Sequence, residues 1–269
     1  MLKDITIGQY YPGKSFVHKI DPRVKLIIGL FYMVSLFFID SFILYGIAIV
    51  GVLLTIMASG IPLKVFLKGL KPLRFILAIT FIINVLFTKG ETMFSIGPIA
   101  VSYQGLYLAC RMAIRLIMLI IGTSILTLTT TPIALTDGME GLLSPLKKIG
   151  FPAHELAMVM TIALRFVPTL IEETDKIMKA QMARGADFES GNIMNRAKSL
   201  VPLLVPLFIN SFRRAADLAT AMEARCYHGG EGRTRLNELK LTGKDIAVLI
   251  GVVVFFGILI YANNAFELV

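Results

Sequence analysis

Gln181-Met-Ala-Arg-Gly185 and Met222-Glu-Ala-Arg-Cys226 close two long helical patterns, and the reading of these patterns decides the fold. In each, an arginine stands at a helix end between small residues, Ala183-Arg184-Gly185 and Ala224-Arg225-Cys226. Ahead of the first, Leu156, Val159, Met160, Ala163, Leu164, Val167, Leu170 and Ile171 recur at helical spacing, which predicts a helix over about 152–184. A continuous helix of that length spans on the order of 50 Å at the standard rise. Ahead of the second, Leu200, Leu203, Leu204, Leu207 and Phe208 lead into Ala215, Leu218, Ala219 and Met222, predicting a second arm over about 193–227. Pro168, Pro202 and Pro206 each remove a backbone donor and are expected to bend the arms. Both arms begin apolar and become polar toward their ends, so neither is expected to span a bilayer. The acidic cluster Glu172, Glu173 and Asp175 is expected to be a solvated face.

Outward from the arms, the chain reads as membrane anchor. Of its 269 residues 56% are hydrophobic and only 17% charged, with a mean hydropathy of +0.75, well beyond the apolar share of soluble domains. Apolar runs at about 24–39, 42–58, 73–87, 105–128 and 246–262 predict five spans. The Asp40-Ser41 link is so short that the first two must form an antiparallel hairpin. Asp21-Pro-Arg-Val-Lys25 reads as a turn and helix start, with Pro22 suited to the first turn. The stretch 88–104, with Gly90, Gly97 and Pro98, reads as an external loop. Lys and Arg concentrate in the lead-in (Lys3, Lys14, Arg23, Lys25), in Lys64–Arg74 and between residues 132 and 244. These basic segments alternate with non-basic links as five spans require, placing the N-terminus and the arms on the cytoplasmic side. The fold class is therefore all-α and polytopic. About five transmembrane helices hold a cytoplasmic pair of long amphipathic helices between spans four and five. The organisation divides into 1–131, a four-span membrane part; 132–244, the arm region; and 245–269, a last span and tail.

Several chemistries are set aside. The net charge of +9 is explained by topology and anionic lipid headgroups, so no nucleic-acid partner is expected. Cys110 and Cys226 cannot make a disulfide framework. His18, His154 and His228 have no metal-ligand spacing, and no metal site is expected. Gly229-Gly-Glu-Gly232 lacks the Lys-Ser/Thr of a phosphate loop, so the chain should not bind ATP itself. No nucleophile–base pair or carboxylate dyad stands out, and the chain is expected not to be an enzyme. Residues 1–21 have no early apolar core, and no cleavable signal peptide is expected. Arg111 and Arg115 share one face of the fourth span, where a structural role is expected.

A lone arginine at a helix C-terminus is ordinary, being favourable against the helix dipole. Duplication shifts the weight. The flanking Ala, Gly and Cys clear space for a partner to close around the guanidinium, whose planar fork suits a carboxylate in a groove. Two near-copies suggest a partner with two near-equivalent grooves.

These stretches, with Ala163-Leu-Arg-Phe-Val-Pro-Thr-Leu170, Ala221–Arg235 and the Asp21–Lys25 lead-in, resemble the transmembrane T component of energy-coupling factor (ECF) transporters over nearly the whole chain. The resemblance implies that the arms are coupling helices. It assigns Ala183, Arg184 and Gly185 to docking on one ATP-binding-cassette ATPase, and Ala224, Arg225 and Cys226 to the other. It also implies a substrate-binding S component in a prokaryotic cell membrane and import of a vitamin or similar micronutrient. The chain itself would carry no cofactor; ATP with Mg would sit on the EcfA-like ATPase pair. Cys226 departs from the glycine common in the family, which puts a glycine-type backbone there in question. The rival readings are a self-contained secondary transporter and a membrane scaffold not coupled to ATPases. Against the first, inverted halves with paired broken helices are missing.

Overall fold

The computed structural model describes residues 10–96, 99–186, 188, 193–230 and 239–267. Lys3, Gly97, Pro98 and 231–235, used in the reading above, lie outside them. The described chain is helical apart from one two-stranded hairpin. Its helices are α1 (Phe16–Lys19), α2 (Pro22–Ser35), α3 (Phe42–Ser59), α4 (Leu63–Leu70), α5 (Arg74–Phe87), α6 (Tyr103–Thr129), α7 (Pro132–Leu143), α8 (Ala153–Ala183), α9 (Ile193–Ala224) and α10 (Gly243–Glu267). Short 3-10 turns at Lys71–Leu73 and Ser144–Ile149 join α4 to α5 and follow α7. Antiparallel β1 (Thr92–Ile96) and β2 (Ile99–Ser102) occupy what the sequence presents as a loop. The chain forms two compact units: Leu142–Glu238 in one, Gly8–Gly141 with Leu239–Val269 in the other.

Five helices are long and apolar enough to cross a membrane: Phe42–Ser59, Leu63–Phe87, Tyr103–Thr129, Ala153–Ala183 and Gly243–Ala265. The chain is an all-α polytopic membrane protein, but the five are not all the expected ones. The helix α2 stops at Ser35, which gives about 21 Å against the roughly 30 Å of a hydrocarbon core. Single turns carry it on, the amide of Leu36 donating to Tyr32 and that of Phe38 to Ser35 (both 3.1 Å). The arm α8, expected to be too polar, meets the criterion instead, because Leu156, Val159 and Met160 open it with an exposed apolar stretch. Both arms remain helical through Pro168, Pro202 and Pro206.

The larger unit is built on tight contacts at glycines and on capped helix ends. As expected from the lead-in, Pro22 begins α2, and the Asp21 carboxylate caps it by accepting from the Arg23 amide (2.8 Å). Buried Lys25 donates to the carbonyls of His18 (3.2 Å) and Thr129 (3.0 Å) and to the Thr130 hydroxyl (3.1 Å), tying α2 to the end of α6. Tyr32 donates to the Met118 carbonyl (2.8 Å) and lies edge-on to Phe256 (5.5 Å). Around them Leu36, Tyr45, Ala48, Phe66 and Leu259 form the core. The outward side chains are those a bilayer would cover. No residue of α5 is buried, and Phe75, Ile76 and Phe87 stand exposed along it.

The two arginines of α6 converge on one carboxylate, that of Asp40. Arg111 Nη1 lies 2.9 Å and Arg115 Nη2 3.3 Å from its carboxylate. Arg115 also donates to Tyr45 Oη (2.8 Å) and the Ile39 carbonyl (3.0 Å). From α10, the Asn263 side-chain oxygen accepts from the amides of Asp40 (2.9 Å) and Ser41 (3.3 Å). The link between α2 and α3 is thus held by two further helices, α6 and α10.

Candidate functional site at the arm ends

The smaller unit consists mainly of the arms, and both close in the same backbone ring. At the end of α8 the amide of Ala186 donates to the Gln181 carbonyl and that of Gly185 to Met182, both at 3.0 Å. At the end of α9 the amide of Tyr227 donates to Met222 (3.1 Å) and that of Cys226 to Glu223 (2.9 Å). This is the Schellman stop, in which a left-handed residue lets two following amides satisfy the last helical carbonyls. The left-handed residue is Gly185 (φ +89°) in the first ring and Cys226 (φ +54°) in the second.

Among the described residues Cys226 is the one non-glycine residue with positive φ. The glycine-type backbone questioned from sequence is therefore present. A side chain there is tolerated because φ lies in the narrow left-handed well open to L-residues, whereas Gly185 sits well outside it. The Cys226 carbonyl accepts from His228 Nδ1 (2.7 Å), which braces the second turn.

Arg184 and Arg225 occupy the cap positions, where a cation is favoured by the helix dipole. Ala183, Arg184, Gly185, Ala224, Arg225 and Cys226 are all exposed. Among the described residues no ion pair or hydrogen bond engages either guanidinium. A Cβ built on Gly185 meets nothing within 4 Å. Each tip is thus a hydrogen-bonded turn presenting an exposed arginine with small neighbours on both sides.

The arms run antiparallel, which sequence spacing did not disclose. On α8, Glu173 accepts from Asn210 Nδ2 of α9 and forms an ion pair with Arg214 Nη2 (2.8 Å). Arg214 Nη1 donates to Thr169 Oγ1 (3.1 Å). Farther along, Gln181 Nε2 reaches the Pro202 carbonyl (3.5 Å), and near the other end Tyr227 Oη meets His154 Nε2 (3.5 Å). The late residues of one arm lie beside the early residues of the other, so the two tips sit at opposite ends of the pair, on the order of 35 Å apart along it. Glu173 therefore departs from the solvated acidic face expected of it: its side chain is 17% exposed and committed to α9. Glu172 is exposed, and Asp175 pairs with Lys179 (2.6 Å) one turn on.

Among the described residues no group of three or more His, Cys, Asp and Glu side chains is placed to hold a metal ion. His154 packs on Gly230, and His18 sits between Ser15 Oγ (2.7 Å) and the Tyr11 carbonyl (3.0 Å).

Comparison with known proteins agrees with this architecture. A family model described as cobalt transport protein (CbiQ) matches residues 13–236. A protein of Thermosediminibacter oceani named energy-coupling factor transporter transmembrane protein EcfT is 59% identical over 249 residues, covering 93% of this chain and 94% of that protein. The Clostridium kluyveri protein of the same name is 59% identical over 247 residues, covering 91% and 92%. That of Bacillus subtilis is 48% identical over 265 residues, covering 97% and 99%.

Proposed function

Because the chain belongs to the family of energy-coupling factor transporter transmembrane proteins, we propose that it is the non-catalytic membrane subunit that couples two ABC ATPases to a substrate-binding S component. The observation that carries this reading is the pair of matching Schellman tips. Each presents an exposed arginine, Arg184 or Arg225, with small residues beside it. The fork of a guanidinium binds a carboxylate in two parallel hydrogen bonds, and inside a closed groove such a contact is strong and directional. Tips at opposite ends of an antiparallel pair suit two separate subunits better than one groove.

In this reading the chain lies in a prokaryotic cell membrane with its N-terminus and arms in the cytoplasm. ATP closes the ATPase pair, the grooves approach, and the arms pass that displacement to the membrane unit. The S component then releases a vitamin or similar micronutrient inward, so substrate choice belongs to it and not to this chain. Reconstitution tests the reading. In liposomes the purified chain alone should neither move solute nor hydrolyse ATP, and with the ATPase pair and an S component it should support ATP-dependent uptake. Uptake by the chain alone would overturn the reading in favour of a self-contained transporter.

A further inference from the structure

We propose that Thr169, Glu173, Asn210 and Arg214 are positioning residues that form a single pivot between the arms, holding Arg184 and Arg225 at equal reach from one crossing point. The inference rests on the docking reading for its purpose, although its geometry stands without it. Glu173 precedes Arg184 by eleven residues, and Arg214 precedes Arg225 by eleven. Thr169 and Asn210 each precede their own arginine by fifteen. The contacts respect this equivalence. Exchanging the arms turns the Thr169–Arg214 bond into the Asn210–Glu173 bond and leaves the Glu173–Arg214 pair unchanged. Each tip is then about 17 Å of helix from the pivot.

Register is what such a clasp can fix. Apolar helix faces can slip past one another by a turn, about 5.4 Å, at modest loss of contact. Both arms are rich in leucine, methionine and alanine along their length, and three prolines weaken their backbones locally. Asn210 and Arg214 stand one turn apart, so a one-turn slip would leave Glu173, largely buried, with one of its two partners and would part Arg214 from Thr169 or from Glu173; an incompletely partnered buried carboxylate is costly. The polar contact thus selects one register, and with it one separation of the tips.

The full chain alone suffices for the test. In a Cys110→Ser, Cys226→Gly background, cysteines introduced at Ala180 and Ala221 occupy equivalent exposed positions four residues before the two arginines and can carry spin labels. Pulsed electron paramagnetic resonance should give one narrow label–label distance. Glu173→Gln or Arg214→Met should broaden it or add a population displaced by about one helical turn, 5.4 Å. The exchanged pair, Glu173→Arg with Arg214→Glu, should restore the single distance. An unchanged distribution in both single variants would overturn the proposal. So would a failure of the exchanged pair to restore it in a chain that still elutes as one species. No ATPase is present in this measurement, so a failure of the docking reading would leave the distances unaffected and show only in assembly.

Discussion

Exchanging the left-handed residues of the two tips is a sharp test of how the arms end. An L-residue held at positive φ costs about 1–2 kcal/mol, and glycine relieves that cost while adding roughly 0.5–1 kcal/mol of unfolded-state entropy. For Cys226→Gly the difference is a local stabilisation of about 0.5–1 kcal/mol, or two- to fivefold in the opening equilibrium. Gly185→Cys should move the first tip the other way. No atom lies within 4 Å of a Cβ there, so its cost is conformational and not steric. Hydrogen–deuterium exchange reads both, because the amides of Cys226 and Tyr227 close one ring and those of Gly185 and Ala186 the other. Exchange should slow two- to fivefold at 226–227 in the first variant and quicken at 185–186 in the second, by a comparable factor. No change at either ring, or faster exchange after Cys226→Gly, would refute the claim that the rings depend on a left-handed residue.

Three further outcomes follow from the packing. Asp40→Asn should lower the thermal midpoint in detergent, and Arg115→Met should lower it more. Asp40 is partly exposed while Arg115 also anchors Tyr45 and Ile39, and removing a half-buried partner costs roughly 1–3 kcal/mol. Gly122→Ala should be destabilising by about 1–3 kcal/mol in the same assay: its Cβ would fall on the ring of Tyr32, which is fixed by the Met118 carbonyl and Phe256. Glycines at Met178 and Ala180, between pivot and tip, should loosen α8 by about 1 kcal/mol each. That change should cut ATP-dependent uptake more than assembly, and equal loss of both would count against a rigid arm.

The helical scaffold was largely legible because it follows from local pattern. Periodicity gave α8 and α9, apolar runs gave α3, α6 and α10, and Asp21-Pro22 marked the start of α2. Contacts between distant residues were not legible. Asp40 partners Arg115 at a sequence separation of 75, and nothing near Asp40 announces it. Glu173 sits beside Glu172 and Asp175, so composition placed it in water, whereas the antiparallel crossing turns it toward Asn210 and Arg214. The matching offsets of Glu173 and Arg214 from the two tip arginines were a usable signal, but they gain meaning only once the arms are known to run antiparallel. At the candidate site both arginines and the glycine stop could be read directly. The left-handed Cys226 could not, since cysteine carries no preference for that conformation. Hairpin β1–β2 was hidden because its glycine-containing sequence is equally at home in an irregular loop.

Co-purification of the chain with its candidate ATPase pair tests the central claim most directly, comparing the wild type with Arg184→Glu, Arg225→Glu and the double variant. Both arginines lie on exposed helix ends, so each variant should fold and elute in detergent as the wild type does. The account predicts weakened association in each single variant and its loss in the double variant. Undiminished association of the folded double variant would contradict it, reducing both arginines to helix-end residues.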